Sequence, residues 1–402
     1  MTDGKGNVAR TILHVDLDAF FCSVEVLIRP ELRGVAFAVG GSPEGRGVIS
    51  SASYEARKYG VRSAMPTARA LRLCPDLIVV SGRHGVYGEH SRKVMDLLRD
   101  AAPYFEQISI DEAFLDVSDD PRAGEEVAAT LQAEIRERFQ LPTSWGVASN
   151  KLVAKIATEV GKPDGLIVVP SGSEQAFLAP LPVQMLWGVG PKTQARLGEV
   201  GVQRIGELAA LSHDTLVDLF GEHGPNLAAK ARGEDERPVG GMREPVSMSA
   251  ERTFPRDLTD RKELHRVILR LSDQVAYRLR KSGHVGRTVR VKIRWSDFTT
   301  ITRQTKLSQP TDQDREIEDA ARELFDASWS EGRPVRLLGV GVSDLGQPMR
   351  QLDLFDASWQ HDDRLLKAID AIRARYGSNA LRKATSLRPS ERMQDSDDDE
   401  TK

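Results

Sequence analysis

The rhythm of apolar and polar positions changes several times along the chain. Residues 11–17, Thr-Ile-Leu-His-Val-Asp-Leu, form a short apolar run that ends in a carboxylate and predicts a strand. A helix-like stretch follows from about Phe20 to Leu27 and stops before Pro30. A second strand-like run, Val35 to Val39, ends in Gly40-Gly41, and residues 46–83 read as short elements broken by Gly and Pro. Helical periodicity returns over 89–101 and 124–139. Between those helices, Ile108-Ser-Ile-Asp-Glu-Ala-Phe-Leu-Asp-Val117 reads as two short β-like runs meeting at Asp111-Glu112. Strands alternating with helices predict an α/β or α+β domain over roughly residues 1–172.

Residues 173–240 read as short helices with Gly-rich joints, and 238–248 as a linker. A helix is expected near 260–282, with Leu264, Val267, Ile268, Leu271, Val275 and Leu279 on one face. A strand follows at 288–296, where Val289, Val291, Ile293 and Trp295 alternate with Arg290, Lys292 and Arg294. Period two puts the apolar set on one face and the cations on the other, a face suited to a phosphate backbone. A short helix is expected near 362–376, and the acidic end, Gln394 to Glu400, is expected to be disordered.

A length of 402 residues exceeds what one hydrophobic core supports and predicts about two to four domains. No apolar run approaches a bilayer-spanning length, and MTDGKGNVAR has no apolar core of a secretory signal. Cys22 and Cys74 are too few for a disulfide framework and read as buried thiols, so a cytoplasmic protein is expected. The net charge of −3 hides a polarity: residues 251–306 hold fifteen Lys or Arg and six Asp or Glu, a local net charge of +9. A basic segment inside an acidic whole is the footprint of a polyanion-binding module, with a solvated surface as the plainer alternative.

Asp16 ends an apolar strand, and Asp111 and Glu112 sit at a junction between β-like runs. Carboxylates in such surroundings are costly unless hydrogen-bonded, paired or bound to metal. Three of them suit a pair of Mg²⁺ ions, which take carboxylate and phosphate oxygens. Adjacent residues on a regular strand point to opposite faces, so Asp111 and Glu112 serve one site only if the chain turns or bulges between them. The alternative is a β-turn with solvated acids. Asp18 and Asp116 are similar acids that pattern alone does not separate from this set.

These residues carry a resemblance. His14-Val-Asp-Leu-Asp-Ala-Phe-Phe-Cys-Ser-Val-Glu25 and Ser109-Ile-Asp-Glu-Ala-Phe-Leu-Asp116 resemble the two metal-site motifs of Y-family translesion DNA polymerases. Ser53-Tyr-Glu-Ala-Arg-Lys-Tyr-Gly60 resembles the fingers motif. Ser149-Asn-Lys-Leu-Val-Ala-Lys-Ile-Ala157 and Gly161-Lys-Pro-Asp-Gly165 resemble the end of the palm. The likeness runs in order over about residues 10–345 and is nearest to the DinB branch, the bacterial DNA polymerase IV group.

The resemblance implies an α+β multidomain, right-hand polymerase. Its parts would be a palm over 1–27 and 84–172, fingers over 28–83, and a helical thumb with a helix-hairpin-helix over 173–240. A linker over 241–248, a DNA-binding little finger of β-sheet and helices over 249–345, and a tail over 346–402 would follow. It implies low-fidelity, template-directed extension of primers with dNTPs past damaged bases, without a proofreading exonuclease. Asp16, Asp111, Glu112 and the Leu17 carbonyl would hold two Mg²⁺ ions, with Mn²⁺ as a substitute. One ion would activate the primer 3′-OH and the other would hold the triphosphate. The nucleotide-binding set would be Phe20, Phe21, Tyr54, Arg57 and Lys162. Phe21 falls on the steric-gate position, where a flat ring under the sugar excludes a 2′-OH; by pattern alone both Phe20 and Phe21 read as core.

Leu186-Trp-Gly-Val-Gly-Pro-Lys-Thr193 resembles the hairpin of a helix-hairpin-helix, with Trp187 where the family usually has Pro. Gly188, Gly190 and Lys192 would meet a DNA phosphate there. Arg290, Lys292 and Arg294 would track the backbone of the primer–template. Gln351-Leu-Asp-Leu-Phe355 resembles the peptide that bacterial polymerases insert into the sliding clamp, the β subunit of DNA polymerase III, with Gln351, Leu352, Leu354 and Phe355 as contacts. A monomer with no membrane association is expected. Two other readings are a catalytically silent scaffold that binds DNA and the clamp, against which the intact acidic set speaks, and a nucleotidyl cyclase, against which the basic C-terminal region speaks.

Overall fold

A computed structural model describes residues 10–240, 244–347, 357–377 and 380–381, with 357–363 described by backbone alone. The chain divides into two compact units, one over Met1–Pro43 and Gly47–Met242, the other over Glu44–Arg46 and Arg243–Lys402.

The first unit opens with β1 (Ile12–Leu17), α1 (Phe20–Ile28), β2 (Phe37–Gly40), β3 (Ile49–Ala52), α2 (Tyr54–Lys58), α3 (Thr67–Leu73) and β4 (Ile78–Val80). It continues through α4 (His84–Ala101), β5 (Tyr104–Gln107), β6 (Glu112–Asp116), α5 (Gly124–Phe139), β7 (Thr143–Ala148), α6 (Lys151–Gly161) and β8 (Leu166–Val168). Five strands make one sheet in the order β5-β6-β1-β7-β8, and three make a smaller one, β3-β2-β4. Every residue of β1 is buried because the strand is central and covered on both faces. Leu13, Val15 and Leu17 join the core shared with α4 and α5, whereas Ile12 joins the core under α6. The second face also carries His14, whose Nδ1 lies 2.9 Å from the Thr158 hydroxyl of α6. Burial, then Lys155 and Lys162, hold His14 well below the usual histidine range, so the ring is neutral.

The approach of α6 to β7 depends on Gly146. A Cβ there would lie 2.0 Å from the Ala154 carbonyl oxygen, which leaves room for no other residue. Five short helices complete the unit: α7 (Glu174–Leu178), α8 (Pro191–Glu199), α9 (Ile205–Ala209), α10 (His213–Phe220) and α11 (His223–Ala231).

The second unit contains β9 (Ser247–Leu258), α12 (Arg261–Lys281), β10 (Val285–Trp295), β11 (Thr300–Thr311), α13 (Asp314–Asp326), β12 (Val335–Gly346) and α14 (Ala357–Tyr376). Its sheet runs β11-β10-β12-β9, all antiparallel. The expected stripe of α12, from Leu264 to Leu279, is buried with Val289, Val291, Ile293 and Trp295 in one core. The opposite face of β10 presents Arg290, Lys292 and Arg294, half exposed. The last helix is longer than the pattern predicts and is tied to α12 by Asp370 with Arg280 (2.6 Å) and by Arg373 with Asp273 (2.9 Å).

Two sequence expectations change. The strand expected over 35–39 is β2, displaced to Phe37–Gly40. Residues 108–110 are not a strand: they turn the chain between β5 and β6, and the Ile108 amide donates to the Glu112 carbonyl at 3.0 Å. The second strand therefore begins at Glu112 as the pattern suggests, whereas the first ends at Gln107, four residues short of the expected junction.

Candidate active site

The turn at 108–111 answers the geometric demand that adjacent acids make. Glu112 opens β6 and is the register partner of Asp16, so the two side chains share a sheet face. Asp111 stands outside the strand, and its carbonyl accepts the Leu17 amide at 2.9 Å. The Asp16 and Glu112 carboxyls are close enough that each influences the protonation of the other. Each also meets a lysine delivered by α6 or its exit: Lys162 reaches Asp16 at 2.8 Å, and Lys155 reaches Glu112 at 2.8 Å.

Two partly buried carboxylates side by side repel each other when both ionise. Burial pushes the Asp16 carboxyl up to about 7 against the pull of Lys162. Burial also acts on Glu112, but the Lys155 ammonium prevails and holds that carboxyl below its ordinary range. Burial acts against the Lys162 charge, and Asp16 and Glu159 more than restore it, so this ammonium is held above the usual lysine range. The Asp111 carboxylate accepts a hydrogen bond from the Ser109 hydroxyl at 2.5 Å and is not gathered with the pair. Among the described residues no three His, Cys, Asp or Glu side chains are close enough to enclose an ion.

The two similar acids separate by their partners. Asp18 is buried and accepts from the Ser144 hydroxyl (2.9 Å), the Tyr54 hydroxyl (3.0 Å) and the Asp164 amide (2.8 Å). Asp116 accepts the Ser118 amide at 3.0 Å and lies at the far end of β6. Neither is beside the Asp16–Glu112 pair.

Between β1 and α1 the backbone turns through Ala19 in the left-handed region (φ 44°), uncommon outside glycine. The turn buries Phe20 and leaves Phe21 packed on the core but partly exposed. The Phe21 ring stacks on Tyr87 at 4.4 Å and 14°. The Tyr87 hydroxyl donates to the buried Glu25 at 2.6 Å, and Arg83 and Arg29 also reach Glu25. Burial would raise Glu25, yet Arg83, Tyr87 and Arg29 together hold it below the usual range. On the other side of Asp18, Arg57 lies 4.6 Å over the Tyr54 ring and donates to the Ala52 carbonyl at 3.1 Å. Sequence reading missed Lys155, Tyr87 and Glu25 as partners of the site residues, although all but Tyr87 lie inside motifs it singled out. The signal for Lys155 was its place three residues before Thr158, one helical turn from a side chain that packs on β1.

At the hairpin, Gly188 takes a φ of 105°, and Pro191 opens α8 with Gly190 as its N-cap, leaving Lys192 exposed in the first turn. Trp187 lies between Arg237 (4.7 Å) and Lys155 (6.0 Å from its Nζ). The aromatic ring thus replaces the expected Pro with a cation-stacking surface. Gln351, Leu352, Leu354 and Phe355 lie outside the described residues. No helix among the described residues is long and apolar enough to cross a membrane.

Comparison with known proteins agrees with this architecture. Residues 15–159 match the family model described as impB/mucB/samB family, 245–354 its C-terminal domain, and 171–202 the IMS family HHH motif. The chain is 41% identical over 383 residues to DNA polymerase IV of Dehalococcoides mccartyi strain CBDB1, covering 94% of this chain and 98% of that one. It is 43% identical over 380 residues to DNA polymerase IV of Desulfatibacillum aliphaticivorans, covering 93% and 96%. Among solved structures, a Y-family DNA polymerase chimera of Dbh and Dpo4 superposes with a TM-score of 0.73 at 28% identity, covering 84% of this chain and 99% of that chain. An insertion ternary complex of Dbh DNA polymerase gives a TM-score of 0.62 over the same shares. With relatives above 40% identity spanning almost their whole length, the chain belongs to the Y-family DNA polymerases, the group described as the impB/mucB/samB family.

Proposed function

We propose that this chain is a template-directed, low-fidelity DNA polymerase that extends primers with dNTPs, bypasses damaged template bases by two-metal nucleotidyl transfer, and is tethered by the sliding clamp. The observation that carries the catalytic reading is the register of Asp16 opposite Glu112, with Asp111 one residue away in the turn. The residues fit hard divalent cations: the two carboxyls stand opposite each other in register, and two lysine ammonium groups already supply positive charge against them. Asp16, Glu112, Asp111 and the Leu17 carbonyl are the proposed ligands, with Asp111 exchanging its Ser109 hydrogen bond on joining them. Two Mg²⁺ ions there would acidify the primer 3′-OH and neutralise the triphosphate, with Mn²⁺ able to replace them.

The chain's own groups do the remaining work. Lys162 leaves Asp16 for a phosphate oxygen, and Arg57 presents its fork to the same triphosphate while Tyr54 stays anchored on Asp18. Phe21, braced flat against Tyr87, lies under the sugar and leaves no room for a 2′-OH, with buried Phe20 backing it. Gly188, Gly190 and Lys192 take a DNA phosphate without reading sequence, and Arg290, Lys292 and Arg294 contact the DNA backbone. The five-stranded sheet serves as palm (1–27 and 84–172), the three-stranded sheet as fingers (28–83), helices α7–α11 as thumb (173–240) and the four-stranded sheet as little finger (249–345). Gln351–Phe355 is the proposed clamp peptide, a reading that rests on sequence.

Primer extension tests the proposal. Purified protein with Mg²⁺, primed template and dNTPs should extend the primer opposite both intact and lesion-bearing bases. Asp111→Ala should not. Extension surviving that substitution would remove Asp111 from the ligand set.

A further inference from the structure

The outward face of the second unit's sheet sets several cations against few carboxylates; Asp344 at its edge is taken up by the Thr288 hydroxyl at 2.6 Å. Register places Thr288, Arg290, Lys292 and Arg294 of β10 beside Lys306, Gln304, Thr302 and Thr300 of β11. On the other side they lie beside Ser343, Gly341, Gly339 and Leu337 of β12. Those in turn pair with Ser247, Ser249, Glu251 and Thr253 of β9. Among these paired positions four are cationic, and Glu251 alone is acidic.

Glu251 and Lys292 are two strands apart, yet they touch. The Lys292 ammonium lies 3.0 Å from both Glu251 carboxylate oxygens. The pair can close only because Gly339 lies between them without a side chain: a Cβ there would approach Glu251 Cγ to 2.8 Å. Gly339 and Gly341 form the floor of a trough of about 260 Å³ walled by Ser249, Glu251, Arg290 and Lys292. The glycine floor admits a rod-like polyanion close to the sheet, while the ion pair spans the same trough. Lys292 therefore has two mutually exclusive partners, its own carboxylate and an incoming phosphate. Arg290, by contrast, has no ion-pair partner among the described residues.

We infer that Glu251 is a built-in competitor for Lys292 that weakens the grip of this face on the DNA backbone and sets how readily the protein releases its primer–template. The inference rests on the DNA-binding reading of Arg290, Lys292 and Arg294. Both side chains are partly exposed, so the pair is weak enough for phosphate to break and strong enough to lower affinity. Freeing Lys292 adds about one phosphate contact, and with it about one unit of salt dependence.

The test is the affinity of the full chain for primed duplex DNA across a salt series. Glu251→Gln should tighten binding about two- to five-fold near physiological salt and steepen the log–log salt slope by about one unit. Lys292→Ala should weaken binding, and the gain from Glu251→Gln should largely vanish in that background. An unchanged or weakened affinity in Glu251→Gln would overturn the inference. So would a gain that persists in full without Lys292, which would make Glu251 a diffuse repulsive charge. The variant with Arg290, Lys292 and Arg294 all replaced by Ala separates the two readings. Lost affinity there with no effect of Glu251→Gln removes only the competitor, whereas unchanged affinity removes the DNA face as well.

Discussion

Asp16 and Glu112 stand opposite each other in one antiparallel register pair, and each is held by a different lysine: Lys162 on the first, Lys155 on the second. A divalent ion bound by this pair would bind the folded protein only, and such binding raises the melting temperature by mass action. Mg²⁺ at about ten times its dissociation constant should stabilise the first unit by about 1.4 kcal/mol, a rise of about 3–6 °C. The double variant Asp16→Asn, Glu112→Gln should show no rise and lose at least about 100-fold in extension rate. Fluorescence-monitored melting with and without Mg²⁺ reads this apart from activity. An equal rise in the variant would place the ion elsewhere.

Phe21 owes its orientation to Tyr87, and Tyr87 owes its own to Glu25. Phe21→Ala should raise ribonucleotide incorporation relative to deoxynucleotide by about 10- to 100-fold. Tyr87→Ala should give a smaller rise, because Phe21 remains but loses its stacking partner. Single-nucleotide insertion kinetics with matched rNTP and dNTP check both. Unchanged sugar selectivity in Phe21→Ala would end its role as a gate.

Gly146 sets the distance between α6 and the sheet, and α6 carries Lys155 to Glu112. Gly146→Ala forces the helix away from β7 and should cost about 1–3 kcal/mol, the usual range for overpacking. The midpoint of urea unfolding should fall accordingly, and extension should fall with the fold still intact below the transition. Parental stability would mean that α6 shifts freely.

Deleting residues 351–355 should abolish the stimulation of extension by the sliding clamp and leave clamp-free extension unchanged. Loss of both activities would give the segment a structural role instead. Primer extension with and without loaded clamp distinguishes the two.

Much of this architecture was legible in the chain because it rests on local periodicity. The α5 span of 124–139 and the buried stripe of α12 follow from apolar spacing alone. Arg290, Lys292 and Arg294 fell on one face because a strand alternates. The acidic set was legible as motif, but its geometry was not. The turn at 108–111 depends on pairing of β6 with β1, a contact across about a hundred residues that no local pattern encodes. Lys155 on Glu112 and Tyr87 on Glu25 are likewise tertiary, and each residue alone reads as an ordinary helical position. The helix expected near 362–376 begins five residues earlier, at Ala357, and its ties to α12 through Asp370 and Arg373 are tertiary contacts that no local pattern encodes.

Asp18 bears on how the first unit comes apart. Its one carboxylate gathers Tyr54 at the start of α2, Ser144 on β7 and the amide of Asp164 beyond α6, three segments that are remote in the chain. Hydrogen bonds to a buried charge contribute about 1.5–3 kcal/mol each, and losing one donor leaves the others holding an under-solvated anion. The segment around Tyr54 therefore cannot loosen ahead of the five-stranded sheet without exposing that debt of hydration. The two sheets of this unit should therefore melt in a single cooperative transition, with Asp18 as the rivet between them.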